Sequence, residues 1–369
     1  MSRARDFADL AGSADAGGLT GRNMVINGAM QVAQRGTDFN DVANGTYTID
    51  RWKLGKINTD NAVINIDQVT TSPDGFSNSL KISVGTAESA LAADERLVLQ
   101  HLIEAQNLQH LQNGSSGAQS VTLSFWVRSD KTGTYTAAIR KPDNTDRNQS
   151  KEYTISAADT WEHKSLTFSG DTSGGGIAND NGAGFFCDWW LAGGSNFTGG
   201  TMDTWANTAI QRLSTNQVNL MDGTNEWYIT GVQLEVGEQA TPFEHRSFAD
   251  ELARCQRYYW QSGREQNKTI SHIYAVASSS QFVEVIPSPP AGEMRAAPSL
   301  TIDGSFRADR FGNASAQDMA ASYTGTSLTK DGGHFWWGAG SGTPFTYSHA
   351  GRFFPDESGG GGLQFDAEL

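Results

Sequence analysis

Cysteine is scarce in this chain. Only Cys187 and Cys255 occur among 369 residues, and neither sits in a CxxC pair or a zinc-ligand spacing. A disulfide framework is excluded, and a single disulfide stays open. No apolar run of about 18 residues exists, so no membrane insertion is expected. The N-terminal sequence MSRARDFADLAGSADAGGLTGRN lacks the apolar core of a signal peptide. Charged residues are 18% and unbalanced, with a formal net charge of −14. Such a chain repels phosphate backbones, so no nucleic-acid partner is expected.

The motifs of common chemistries are missing as well. There is no HExxH and no GxSxG, and the seven histidines are scattered. The SGGGG run at 358–362 is followed by no GK[ST], so it reads as a turn and not as a phosphate loop. Oxygen-rich segments such as Asp171 to Asp180 and Asp356-Glu357 lack the ligand spacing of a calcium loop, and turn chemistry accounts for them. The expectation is a protein that is not an enzyme and carries no metal and no cofactor.

What the chain does have is glycine, 41 residues of it, with abundant Ser, Thr and Asn. That mixture suits short strands joined by many turns. Apolar alternation marks strand candidates at Tyr47 to Leu54, Ala62 to Val69, Ser79 to Val84, Val121 to Arg128, Tyr135 to Arg140, Trp161 to Phe168, Phe185 to Leu191 and Trp227 to Val236. In one of these, Leu80, Ile82 and Val84 share a face; in another, Val121, Leu123, Phe125 and Val127 do. Residues 94–113 break the pattern and read as either a short helix or a Gln-rich strand. The fold class expected is mainly β: an N-terminal jelly-roll sandwich, a short linking helix and a smaller C-terminal β domain. The boundaries read from the pattern are a flexible arm over 1–22, the sandwich over 23–246, a helix and linker over 247–262 and the last domain over 263–369. Arg3 and Arg5 are the clustered basic feature of the arm and the candidates for an anchor.

The helix is placed at 247–260. Ser247 is an N-cap, and Asp250 stands where a carboxylate returns the bond. Phe248, Leu252, Cys255 and Tyr259 follow in one apolar stripe, which fits either a helix packed on its own domain or a short seam around a three-fold axis.

Ten tryptophans are present. Trp126, Trp161 and Trp227 lie in alternating strands and are read as core. Two tandem pairs differ, because neighbours on a strand point to opposite faces. Trp189-Trp190 and Trp336-Trp337 should each expose one indole unless both faces are covered. An exposed indole among polar groups suits a sugar ring or an interface. Trp189, Trp190, Trp336, Trp337, Tyr347 and His349 are therefore the candidate carbohydrate contacts, with subunit interface and plain core as the other readings of the second pair.

Three stretches resemble a family of bacteriophage tail-fibre and receptor-binding virion proteins: NMVINGAMQVAQRGT with YTIDRW at 23–52, YITGVQLEVGEQATPFEHRSFADELARCQRYYW at 228–260, and MRAAPSLTI at 294–302 with the terminal LQFDAEL. The resemblance implies a carbohydrate-binding-module-like sandwich, a helix and a distal β domain. Asp50, Arg51 and Trp52 would fix the start of the sandwich, and Phe243, Glu244 and Arg246 its corner with the helix. It implies a homotrimeric virion protein that is made in the host cytoplasm, joins other virion proteins through its N-terminal arm and contacts host cell-surface glycans. The same parts would serve a capsid-surface decoration or head-fibre protein with an assembly role alone. A polysaccharide-degrading tailspike is the third reading.

Overall fold

The computed structural model describes residues 21–59, 61–144, 147–207, 212–262, 271–275, 282–285, 292–310, 317–339, 349–355 and 361–369. The expected anchor residues Arg3 and Arg5 lie outside them. The chain divides into two units, 1–251 with Leu369 and 252–368.

The first unit is an antiparallel β-sandwich of the jelly-roll kind. Its strands are β1 (Asp38–Phe39), β2 (Trp52–Ile57), β3 (Val63–Val69), β4 (Ser79–Thr86), β5 (Arg96–Glu104), β6 (Val121–Ser129), β7 (Gly133–Lys141), β8 (Arg147–Ile155), β9 (Glu162–Phe168), β10 (Ala183–Gly193) and β11 (Glu226–Val236). One sheet runs β1-β3-β4-β11-β6-β9 and the other β2-β5-β10-β7-β8. The inward phase is the one the alternation predicts: Leu80, Ile82 and Val84 on β4, and Val121, Leu123, Phe125 and Val127 on β6, are all at most 4% exposed. Between the sheets Trp189 packs its ring 5.4 Å from Trp52 and 5.8 Å from Phe125. Trp227 is fully buried, as expected.

Residues 94–113 resolve into both alternatives: β5, then a 3-10 helix over Ala105–Leu111. The strand hid from its pattern because both its faces are covered. Leu97 and Leu99 join the core while Val98 and Leu102 on the opposite phase are each 1% exposed, and a strand buried twice does not alternate.

The segment after residue 22 has no ladder of its own, so many of its buried backbone groups are satisfied by side chains. Glu244 accepts from the Asn23 amide at 2.8 Å, and Glu251 accepts from the Asn27 amide at 2.5 Å. Arg246 donates to the carbonyls of Val25 and Asn23. Asp50 accepts from both the amide and the side chain of Gln34 at 2.6 Å. Arg51, fully buried, donates to the Leu102 carbonyl. Two stretches distant in sequence thus meet in one clasp, with Asp50, Arg51, Glu244 and Arg246 as its teeth. The oxygen-rich segment 171–180 begins with another buried device. Asp171, 1% exposed, takes the Lys141 ammonium and, at 2.7 and 2.9 Å, the Arg147 guanidinium. Burial raises its carboxyl, but the bonds from Arg147 and Lys141 outweigh that and hold it well below the usual range.

Helix α1 (Phe248–Gln256) is capped by Ser247: the Asp250 amide donates to Ser247 Oγ at 3.2 Å, and the Asp250 carboxylate accepts from that hydroxyl at 2.6 Å. It ends four residues before the predicted 260. Tyr258, Tyr259 and Trp260 are aromatic strand formers, and the chain is captured there by pairing: Tyr259 and Trp260 open β12 (Tyr259–Ser262). The four-residue stripe is therefore not one helical seam. Tyr259 stands on the strand at 2% exposure, Cys255 is buried and Leu252 half-buried, and Phe248 alone is open at 56%. Both cysteines are buried.

The second unit continues with β13 (Ser271–Ala275), β14 (Phe282–Val285), β15 (Ser299–Gly304), β16 (Phe306–Arg310), β17 (Gln317–Thr329), β18 (Gly332–Ala339), β19 (His349–Pro355) and β20 (Gly361–Asp366). They form a β12-β20-β15 sheet and a β13-β19-β16-β17-β18-β14 sheet. Trp260 stacks on Phe365 at 4.4 Å across the first.

Candidate carbohydrate-binding face

Of the predicted sugar contacts, Trp336 and Trp337 lie on β18 and His349 on β19, but their side chains, and Tyr347 altogether, lie outside the described residues. The first pair is a correction. Trp189 is fully buried and Trp190 is 1% exposed, so neither indole is open. They do point to opposite faces. Trp189 enters the inter-sheet core, while Trp190 turns outward into a second cluster with Val98, Phe197 and Leu213. The cover comes from the chain on either side of residues 208–211. Ser214 donates its amide to Thr136 Oγ1 at 3.2 Å, Gln217 its side chain to the Trp190 carbonyl at 3.0 Å, and Val218 its amide to the Thr134 carbonyl at 2.9 Å.

The outer face of the five-stranded sheet is shut beyond Trp190 too. Asp188, Ala138 and Ser150 stand in one register row across β10, β7 and β8, and none is more than 2% exposed. At the edge of that sheet a cleft of about 510 Å³ is lined by Lys151, Glu152, Ser165, Leu166, Thr167, Met202 and Asp203. Its carboxylates are already bonded: Asp203 to Lys151 at 2.5 Å, and Glu152 to the Ser214 hydroxyl.

The six-stranded sheet presents the opposite surface. Because Val121, Leu123, Phe125 and Val127 point inward, Trp126 and Arg128 point outward. Trp126 is only half-buried, and its ring lies 5.2 Å from the exposed His163, its register partner on β9. Trp126 and Trp161 were read as core, and the structure corrects both. Trp161, just before β9, is half-buried with its ring 6.2 Å from Tyr228. The Arg128 guanidinium lies over that tyrosine at 4.8 Å and binds the Asp159 carboxylate at 2.7 Å. Tyr228 donates to Glu226, which also pairs with Lys81 at 2.6 Å.

A bulge extends the aromatic surface. The β11–β6 register shifts between Thr230 and Gln233, and Gly231 sits there at φ +61°. A β-carbon on it would lie 2.6 Å from Phe76 and 3.0 Å from Trp126, so glycine lets the two rings close over the strand. Phe76 in turn meets Phe243 at 5.0 Å and His245 at 5.3 Å. The outcome is a strip of rings in the order His163, Trp126, Phe76, then Phe243 with His245, bordered by paired charges. Flat apolar rings beside hydrogen-bonding groups match the two aspects of a sugar, its C–H face and its hydroxyls. Among the described residues no group of three or more His, Cys, Asp or Glu is placed to hold a metal ion. No described helix is long and apolar enough to cross a membrane.

No family model matches this sequence, and no curated protein matches it. Solved structures do align. A putative sugar binding protein from Bacteroides thetaiotaomicron aligns with TM-score 0.34 and 12% identity, over 58% of this chain and 100% of that one. A family 11 carbohydrate-binding module from Clostridium thermocellum, in complex with a β-1,3-1,4-mixed-linked tetrasaccharide, gives TM-score 0.29 and 11% identity over 57% and 99%. The enzymatically active domain of tailspike protein 4 from bacteriophage CBA120 gives TM-score 0.30 and 15% identity over 54% of this chain and only 22% of that one. At these scores the sandwich assignment rests on the strand order and register given above.

Proposed function

We propose that this chain is a non-enzymatic bacteriophage virion protein that holds a host cell-surface glycan on the outer face of its six-stranded sheet. The observation that carries the reading is the half-exposed aromatic strip from His163 and Trp126 to Phe76 and His245, set among hydrogen-bonding side chains. Core packing does not require rings there, since the inter-sheet core is filled by the opposite phase of the same strands. An open aromatic surface of this kind marks a binding site. The phage setting, the homotrimer and attachment through residues 1–22 rest on the three stretches of family resemblance. Phe248, open on α1, offers an apolar contact for assembly.

The test is retention of the full chain on immobilised bacterial surface polysaccharides. Trp126→Ala should weaken binding by about tenfold or more while the fold, read by circular dichroism, is kept. Incubation should release no oligosaccharide. Unchanged retention by the variant, or steady release of sugar, would sink the reading.

A further inference from the structure

We infer that the open face has two sugar-stacking positions, one on Trp126 with His163 and one on Trp161, which is backed by the buried Tyr228, and that they select a neutral glycan of two or more rings. The inference rests on the proposed function and sharpens it. The register supplies the geometry. Trp126 pairs with His163 on β9 and Thr230 on β11, forming one row across the sheet. Arg128 pairs with Tyr228, and Tyr228 with Lys81, forming the next row. Trp161 precedes His163 by two residues and closes on Tyr228, so it belongs to that second row. Rows two residues apart on a strand are separated by about 7 Å. Two ring platforms at that spacing suit consecutive sugars of one chain better than a single ring.

Charge sets the ligand class. The cations of the second row are already neutralised, Arg128 by Asp159 at 2.7 Å and Lys81 by Glu226 at 2.6 Å. Farther along the row Asp67 faces Lys81 on one side and Asp38 on the other. Two carboxylates in register leave this end acidic, on a chain of net charge −14. An anionic sugar therefore meets no free cation here and two unfavourable charges. A neutral sugar keeps the paired groups as hydrogen-bond partners for its hydroxyls.

The probe is an array of neutral linear oligosaccharides of increasing length in the gluco, galacto, manno and N-acetylglucosamine series, with uronic-acid counterparts. The full chain should bind a neutral dimer about tenfold more tightly than its monomer and bind the acidic series more weakly. Trp161→Ala should erase the gain from monomer to dimer and leave the monomer's affinity, Trp161→Phe should restore the gain, and Trp126→Ala should lower both affinities. A monomer that binds as well as a dimer overturns the inference and leaves the proposed function standing. So does an unchanged length gain in Trp161→Ala, or a preference for the acidic series. Absence of binding to every sugar by the folded chain removes both.

Discussion

Trp190 on β10 and Trp126 on β6 occupy equivalent places, each pointing away from the inter-sheet core on a central stretch of its sheet. Trp190 is 1% exposed under Phe197 and Leu213, while Trp126 is half-open beside His163. The difference does not lie in the strands. It lies in how far neighbouring chain covers each ring: Phe197 and Leu213 shut over Trp190, while Phe76 reaches Trp126 and still leaves it partly open. A sandwich can use an outer face as a second core or leave it partly open, and this molecule does one on each side. The same residue type therefore has a structural task on one sheet and, under the proposed function, a recognition task on the other.

Truncation of the two indoles tests this most strongly. Trp190→Ala opens a cavity in a closed cluster and should cost about 3–5 kcal/mol. Trp126→Ala, beside solvent, should cost about 1 kcal/mol or less. Urea midpoints with unchanged slopes measure both. Equal costs would mean that the Trp126 face is covered as thoroughly as the other and would break the comparison.

Much of this was legible in the sequence. The alternation on β4 and β6 fixes which residues face inward, and the same phase places Trp126 outward. That signal outranked residue type, and reading Trp126 as core because a tryptophan in an alternating strand usually packs inward lost it. Tandem Trp189-Trp190 correctly implied opposite faces. That both are covered was not legible, because Phe197 and Leu213 follow in an irregular segment with no periodicity to say where it packs. The strip also depends on Gly231, more than a hundred residues along the chain from both rings, whose bulge lets Phe76 meet Trp126; a glycine within an alternating strand was the available cue. The end of α1 escaped because helical spacing of Cys255 and Tyr259 coexists with the strand preference of the aromatic run at 258–260, and pairing with β20 decides between them.

A second contrast lies in two histidines. His101 is on the closed sheet, edge-on to Trp52 at 5.1 Å, with Nε2 3.0 Å from the Ile26 carbonyl oxygen. Burial, and then the charge of Arg51, push its pKa from 6.5 down to about 3. The folded state keeps it neutral, whereas the unfolded chain takes up a proton below pH 6.5. Its contribution is therefore whole above pH 6.5 and is lost as pH falls from 6.5 toward 3, at about 1.4 kcal/mol per pH unit. His163 on the open sheet is also lowered, by burial and then by Lys164, but its side chain is exposed and its slope should be shallow. Urea midpoints taken from pH 7 to pH 4 should fall steeply for the native chain and for His163→Gln, and much less for His101→Gln. An equal fall in all three would remove the distinction.

The finest test uses two arginines in matching settings. Arg128 lies over Tyr228 at 4.8 Å and pairs with Asp159, which is 62% exposed. Arg140 lies over Phe186 at 3.7 Å and pairs at 3.6 Å with Asp188, which is 1% exposed. Both present a guanidinium to a ring and a carboxylate, so the chemistry removed by alanine is nearly the same. What remains afterwards differs. Asp159 is left in water, so Arg128→Ala should cost about 0–1 kcal/mol. Asp188 keeps the Gln100 amide at 2.7 Å but loses its counter-charge in a closed place, so Arg140→Ala should cost about 3 kcal/mol or more. The expected gap of about 2 kcal/mol comes from the carboxylate left behind and not from the bond lost. It should shrink when Asp188→Asn is added to Arg140→Ala, since the stranded charge is then gone. If the gap persists unchanged in that double variant, the closed face acts through packing of the arginine stem alone.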